Sequence, residues 1–299
     1  MPEHGLCMPE LNYIDRSFTK DRCMDYDLSI QTDRSGLTYC IRHSRQGEYI
    51  VFRKYRFDHV YLVSDLVREV IAVLDRDDIL KQHFRSVHFM NYTQQSTLVP
   101  ERFFNPENLP EYIEFNTGGI LEGELFSNHI RPLDTYNVFV QPRPLVSLVT
   151  LHFKKVEFSS QATPFLWNLS HVEGSMDNSL VHVGLNTDFF DIAVVGDCKL
   201  QLYNTFQFVN ETDLLYYVLY VCRQLSLSPQ DIPVRLSGEL SSRIVYFETL
   251  KQYLPRVSYE DTPGMRHLAP GLMQLITYKY LNLFNLQSCE LSAESIKEE

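Results

Sequence analysis

The stretch VHVGLNTDFFDIAVV, Val181 to Val195, decides how this chain is read. Two apolar runs, Leu180 to Leu185 and Phe189 to Val195, flank a polar break at Asn186-Thr187-Asp188, the pattern of a β-hairpin. A third strand follows over Lys199 to Phe208, then a helix from about Asp213 to Leu225 and a last strand around Pro233 to Leu236. The same order occurs earlier in the chain. Leu28 to Thr32, Leu37 to Arg42 and Tyr49 to Tyr55 read as three strands, Val63 to Leu74 as a helix and Val87 to Phe89 as a short strand. The steps from Leu28 to Leu180, Leu37 to Phe189 and Leu66 to Val218 are all 152 residues. Two α/β lobes around a cleft would produce that repeat.

Local chemistry agrees with these elements. Ser35-Gly36 and Gly47 supply the turns of the first meander, because glycine accepts positive φ without a Cβ clash. Val63, Leu66, Val67, Val70, Ile71 and Leu74 fall on one stripe of a helix, as do Leu215, Val218, Leu219, Cys222 and Leu225. Asn210 is placed to cap the second helix, with Asp213 three residues on. Cys222 reads as a small core residue on its stripe. The segment from Pro100 to Arg143 reads as an insertion, with a short helix near Leu109 to Phe115, a turn at Asn116-Thr117-Gly118-Gly119 and a strand over Val138 to Val140. Leu145 to Phe153 reads as a helix leading into the second lobe. Leu272, Leu275, Ile276, Tyr280 and Leu283 keep helical spacing. Trp167, the single tryptophan, is expected in the core.

Composition bounds the function classes. The chain has 299 residues, 44% hydrophobic and 22% charged, with ample length for a core. A net charge of -11 argues against general affinity for nucleic acid or anionic membrane. Against that trend run Arg42, Arg45, Arg53, Lys54 and Arg56, read as a solvated outer strand face. With Tyr49, Phe52 and Tyr55 they are the residues a nucleic-acid-binding reading would need. The six cysteines show no C-x-x-C spacing, and MPEHGLCMPELNYIDRS lacks a basic start followed by an apolar run. Without a secretion signal or a run of roughly 18–20 apolar residues, a cytoplasmic protein with reduced thiols and no membrane insertion is expected. The glycosylation-type triplets at Asn91, Asn168 and Asn210 then carry no meaning.

No phosphate loop of the G-x-x-x-x-G-K-[ST] type occurs, nor H-E-x-x-H, G-x-G-x-x-G or G-x-S-x-G. His83 and His88 have no ligand cluster around them, so no metal site is expected. Arg76, Asp77 and Asp78 read as a helix end or a solvent-facing group. No nucleophile–base pair stands out, and no catalytic residue is assigned.

The hairpin at 181–195 resembles the phosphate hairpin of the actin-like ATPase superfamily, which includes actin, sugar kinases, heat-shock chaperone ATPase domains and the actin-like protein of type IV pilus assembly. The segment LQLYNTFQFVNETDLLYYVLYVCRQLSLSPQDIPVRLSGEL, 200–240, resembles a bacterial family of unknown function associated with that fold. The resemblance implies two pseudo-repeated actin-like, ribonuclease H-like lobes, each a mixed sheet opened by a β-meander with flanking helices. The expected divisions are a lead-in over 1–26, a first lobe over 27–145 with its insertion near 100–143, a second lobe over 146–290 and a polar tail over 291–299. In the superfamily, an Asp-x-Gly core in each hairpin grips nucleotide phosphates and magnesium, and a Gly-Gly turn packs on the adenosine.

This chain departs from that pattern. Ser29 stands at the first aspartate and Gln31 at its glycine. His182 replaces the second aspartate while Gly184 is kept, and Leu185 follows where glycine is frequent. The adenosine turn reads Gly238-Glu239. Serine and neutral histidine are poor magnesium ligands, and added side chains obstruct a close approach of backbone to ligand. The implied function is a non-catalytic binding or scaffold protein with a degenerate nucleotide site, no cofactor and an unknown protein partner. The alternative is a working magnesium-dependent ATPase or small-molecule kinase. In that case ATP and magnesium would meet Thr32, Asp33, Gly184, Asn186, Thr187, Asp188 and Gly238.

Overall fold

A computed structural model of the chain describes residues 8–117, 122–171, 179–197, 199–238, 244–260 and 267–289. In chain order the strands are β1 (Leu11–Ile14), β2 (Tyr26–Asp33), β3 (Gly36–His43), β4 (Tyr49–Arg56), β5 (Ser86–Asn91), β6 (Ser96–Pro100), β7 (Glu124–Ile130), β8 (Thr135–Gln141), β9 (Glu157–Ser159), β10 (Leu180–Leu185), β11 (Phe189–Gly196), β12 (Lys199–Gln207), β13 (Val234–Gly238) and β14 (Val257–Tyr259). The helices are α1 (Val63–Arg76), α2 (Leu109–Thr117), α3 (Arg143–His152), α4 (Ala162–His171), α5 (Glu211–Gln224), α6 (Ile244–Tyr253) and α7 (Leu281–Asn285).

The chain divides into two compact units. One falls within Met1–Thr163, Met265–Leu275 and Leu286–Glu299, the other within Pro164–Gly264 and Ile276–Asn285. The sheet of the first unit runs β1-β4-β3-β2-β5-β9, antiparallel from β1 to β2 and parallel from β2 to β9. The sheet of the second runs β12-β11-β10-β13-β14, again with an antiparallel meander followed by two parallel strands. The repeat in the sequence is therefore a repeat in strand order. A parallel neighbour needs a crossover, and α1 and α5 supply it.

Each sheet buries its apolar alternation under that helix. In the first unit Leu28, Ile30, Leu37, Tyr39 and Ile41 pack with Leu66, Val70, Val73 and Leu74 of α1. Val63 and Ile71 of the expected stripe are exposed, and Val73 takes a place inside. The stripe turns by part of a residue because α1 meets the sheet with the 66-70-73-74 edge of its apolar arc. In the second unit Val181, Val183 and Leu185 pack with Leu214, Val218 and Cys222. The Asn210 cap is formed: its side chain accepts from the amides of Thr212 and Asp213, and Asp213 accepts in return from that of Asn210.

Several expectations need correction. The lead-in is part of the first sheet: Leu11–Ile14 forms β1, which pairs with β4 and extends the meander to four antiparallel strands. The amide of Gly271 donates to Asp15 and fastens the turn after β1. The basic strand is a solvated face only in part: Arg45 and Arg56 are exposed, the others are not. Lys54 is buried with its ammonium 3.4 Å from Glu10, Arg53 is largely enclosed, and Tyr49, Phe52 and Tyr55 are buried, so none of these rings is open for stacking on bases. Helix α3 belongs to the first unit, where Leu145, Val149 and Phe153 join the core under α1. The stretch near 100–143 carries a three-stranded antiparallel sheet, β6-β8-β7, closed by α2 through Ile113.

The helical spacing at 272–283 breaks into 3₁₀ turns at Pro270–Leu272 and Thr277–Tyr280 and the short α7. Ile276 there is extended. The chain passes from one unit to the other at this point, between Leu275 and Ile276. Trp167 is half-buried. Gly118, Gly119, Glu239, Cys7 and Cys198 lie outside the described residues.

Candidate functional site

In the first hairpin the proposed ligands serve the turn itself. Asp33 Oδ1 accepts from the Ser35 amide at 2.7 Å, the Ser35 hydroxyl at 2.6 Å and the Gly36 amide at 3.1 Å. This is an Asx-type turn, in which the carboxylate takes the place of a backbone carbonyl. Thr32 Oγ1 donates to the Gly36 carbonyl at 3.0 Å. Ser29 is fully buried, opposite Cys40 on β3 and His88 on β5. Gln31 is half-buried.

In the second unit the sheet brings five of the expected residues to one end. Leu185 and Gly238 are register partners, so Gly184, the Asn186-Thr187-Asp188 turn and Gly238 lie together. Their local roles are structural. A Cβ on Gly184 would sit 2.9 Å from the ring of Phe165 on α4, so the glycine lets that ring lie on the strand. Gly238 has φ +94°, and a Cβ there would lie 2.1 Å from the Leu185 carbonyl oxygen. Asn186 donates to Asp191 Oδ2 at 3.0 Å, while Asp191 Oδ1 accepts from the hydroxyls of Tyr203 and Thr205, each at 2.8 Å. Asp191 is thus a buried anchor of the hairpin and not an outward-facing carboxylate. Asp188 alone in this turn is exposed.

His182 is fully buried on β10, its ring 4.8 Å from that of Phe165 and its Nε2 3.3 Å from Glu260 Oε2. Burial, with the nearby Arg235 charge, pushes its pKa down to about 3, so the imidazole is neutral. Burial likewise takes His88 down to about 4. In the unfolded chain both histidines take protons near pH 6.5, whereas the folded chain refuses them. Stability should therefore fall as pH drops below about 6.5, and His182→Gln should flatten part of that slope in urea titrations from neutral to acid pH. An unchanged slope would show that His182 takes its proton without unfolding.

A cluster that the sequence did not announce lies in the first unit. The Asp77 carboxylate accepts from the hydroxyls of Tyr39 and Tyr55, each at 2.7 Å, from Arg53 Nη1 at 2.8 Å and from the amide of Ile79 at 2.9 Å. Its side chain has no exposed surface. Burial pushes the carboxyl pKa up, but the two hydroxyls, the guanidinium and the amide outweigh it and hold the group below its ordinary value. Tyr39 and Arg53 are register partners on β3 and β4, and Tyr55 lies two residues beyond Arg53. The alternation that places Leu37 and Ile41 inward also places these three, which is the signal that could have revealed the cluster.

Four cysteines, Cys23, Cys40, Cys222 and Cys289, are buried free thiols; burial pushes Cys23 up to about 11 and the others also upward. Among the described residues no three His, Cys, Asp or Glu side chains gather as a metal site, and no helix is long and apolar enough to cross a membrane.

Comparison with known proteins agrees with the strand order. The family model of DUF3822, a protein family of unknown function, matches residues 15–257, and the chain belongs to that family. A Bacteroides thetaiotaomicron VPI-5482 protein, described as having an actin-like ATPase fold and unknown function, superposes with a TM-score of 0.75 at 19% identity, covering 86% of this chain and 99% of that one. The PilM-PilN type IV pilus biogenesis complex contains a chain that superposes with a TM-score of 0.62 at 11% identity, covering 87% and 97%. The fold is the two-lobed, mixed α/β actin-like ATPase fold. No curated protein matches the chain.

Proposed function

We propose that this DUF3822 protein uses its actin-like fold as a non-catalytic binding scaffold for a protein partner, with no nucleotide or magnesium cofactor. The observation that carries the reading is that the residues at the phosphate-motif positions are already committed to the fold. Asp33 and Thr32 close a turn, Gly184 and Gly238 permit close packing, and His182 is buried and neutral. Magnesium prefers several hard oxygen ligands held around it, and Asp188 is the only exposed carboxylate in its turn. A protein partner has a precedent in PilM, which shares the fold and is found in complex with PilN. Buried free thiols and the acidic net charge fit a cytoplasmic protein that does not bind nucleic acid.

Calorimetry with magnesium-ATP is expected to give no heat of binding at micromolar concentrations, and phosphate release to stay at background. Micromolar binding with turnover lost in Asp188→Asn or Asp33→Asn would overturn the proposal in favour of an ATPase or kinase.

A further inference from the structure

The first unit also holds a cavity of about 560 Å³ beside the Asp77 cluster, at the end of α1 over β1 and β4. We infer that it binds a small organic carboxylate, with the anion on Arg53 and Arg76 and an apolar body along Ile14, Phe18 and Ile79. The volume lies within the range for small-molecule sites, and the wall divides about evenly between polar side chains and an apolar part that includes Ile14, Phe18 and Ile79.

Arg53 is held ready for such a ligand. Its Nε donates to Asn12 Oδ1 at 2.7 Å and its Nη1 to Asp77 Oδ1 at 2.8 Å, which fixes the guanidinium plane. The Tyr55 hydroxyl also bonds Arg53 and helps to hold it in the wall of the cavity. Arg76, also in the wall, is exposed and pairs with no carboxylate among those residues. The charge of Asp77 is already taken up by Arg53 and two tyrosine hydroxyls. Lys20 lies 3.9 Å from Asp78 with both side chains exposed, a weak pairing. The cavity thus offers excess positive charge in a chain whose net charge is -11.

A planar monoanion suits it better than a phosphate. Arginine's fork matches carboxylates and phosphates alike, but Lys20, Arg53 and Arg76 against Asp77 and Asp78 leave a single net positive charge, which balances a monoanion and not a dianion. The apolar part of the wall, Ile14, Phe18 and Ile79, suits a hydrocarbon body on the ligand. This inference is independent of whether nucleotide binds.

Calorimetry on the full chain with octanoate and with N-acetyl-leucine, against octanamide and N-acetyl-leucinamide, tests it. At least one acid should bind about tenfold more tightly than its amide, and Arg76→Gln should weaken it by a similar factor. Ile14→Trp should fill the cavity and abolish binding. Ile14 and Arg76 are both exposed, so both variants should melt like the parent chain. Tighter binding of octanoate points to an alkanoate, and tighter binding of N-acetyl-leucine to a peptide C-terminus; either supports the site. Equal affinity for acid and amide, acid binding untouched by both variants, or no binding of either acid at millimolar concentration would overturn it.

Discussion

Asp77→Ala is expected to lower the free energy of unfolding by about 3–5 kcal/mol, the range for removing one partner of a buried ion pair. The loss is large because four donors converge on one carboxylate. Without it, the largely enclosed Arg53 guanidinium keeps its charge and loses its counter-ion. The buried hydroxyls of Tyr39 and Tyr55 lose their acceptor as well, and each orphaned polar group costs about 1–3 kcal/mol. Urea unfolding measures the effect, and a variant within about 1 kcal/mol of the parent would show that water replaces the carboxylate at little cost. The pH dependence adds a second check. A carboxyl held below its ordinary pKa contributes stability that is complete above the unfolded value, near 4, and is lost as pH falls through the folded value. The stability gap between the parent chain and Asp77→Asn should therefore be widest at neutral pH and narrow below about pH 4.

Gly238→Ala should cost about 2–5 kcal/mol, combining backbone strain and overpacking. The position needs a φ of +94°, and the added methyl would lie 2.1 Å from the Leu185 carbonyl oxygen. The atom in the way is backbone in the central strand β10, so no side chain can rotate aside. The β10–β13 pairing would have to part at its last register pair, Leu185 with Gly238. A thermal melt compares this variant with Gly184→Ala, whose methyl meets only the ring of Phe165. Side chains yield more readily than strands, so Gly184→Ala should be the milder of the two. Were Gly238→Ala to melt like the parent chain, the glycine would need a reason outside the fold, such as close approach of a ligand.

Strand and helix assignments in both repeats follow from local rules that a sequence carries in full: alternation with period 2, stripes with period 3.6 and turn residues between them. The Asn210–Asp213 cap is equally local, since donor and acceptor are three residues apart. The chain ends of the repeats were less legible. Residues 11–14 form a strand only because β4 offers them an edge, and a four-residue strand has too little pattern of its own to announce itself. The spacing at 272–283 was misleading for the same reason in reverse. Its apolar residues serve two different compact units, so periodicity there does not report one helix face.

What the sequence determined by itself is the repeated order of strands and helices, hence the fold; an eroded phosphate site at Ser29, Gln31 and His182 belongs to the proposed function. Tertiary structure alone decided what those positions do in the fold. Gly184 and Gly238 read from the sequence as parts of a ligand loop, and the fold adds a packing role, with Phe165 and the Leu185 carbonyl against them. Asp77 does end α1, as read from the sequence, but only the fold brings three residues of β3 and β4 to its carboxylate from 22 to 38 positions away. The physical reason is that hydrogen bonding and packing depend on distance in space. Periodicity says which way a residue faces, and only the folded chain says what it meets there.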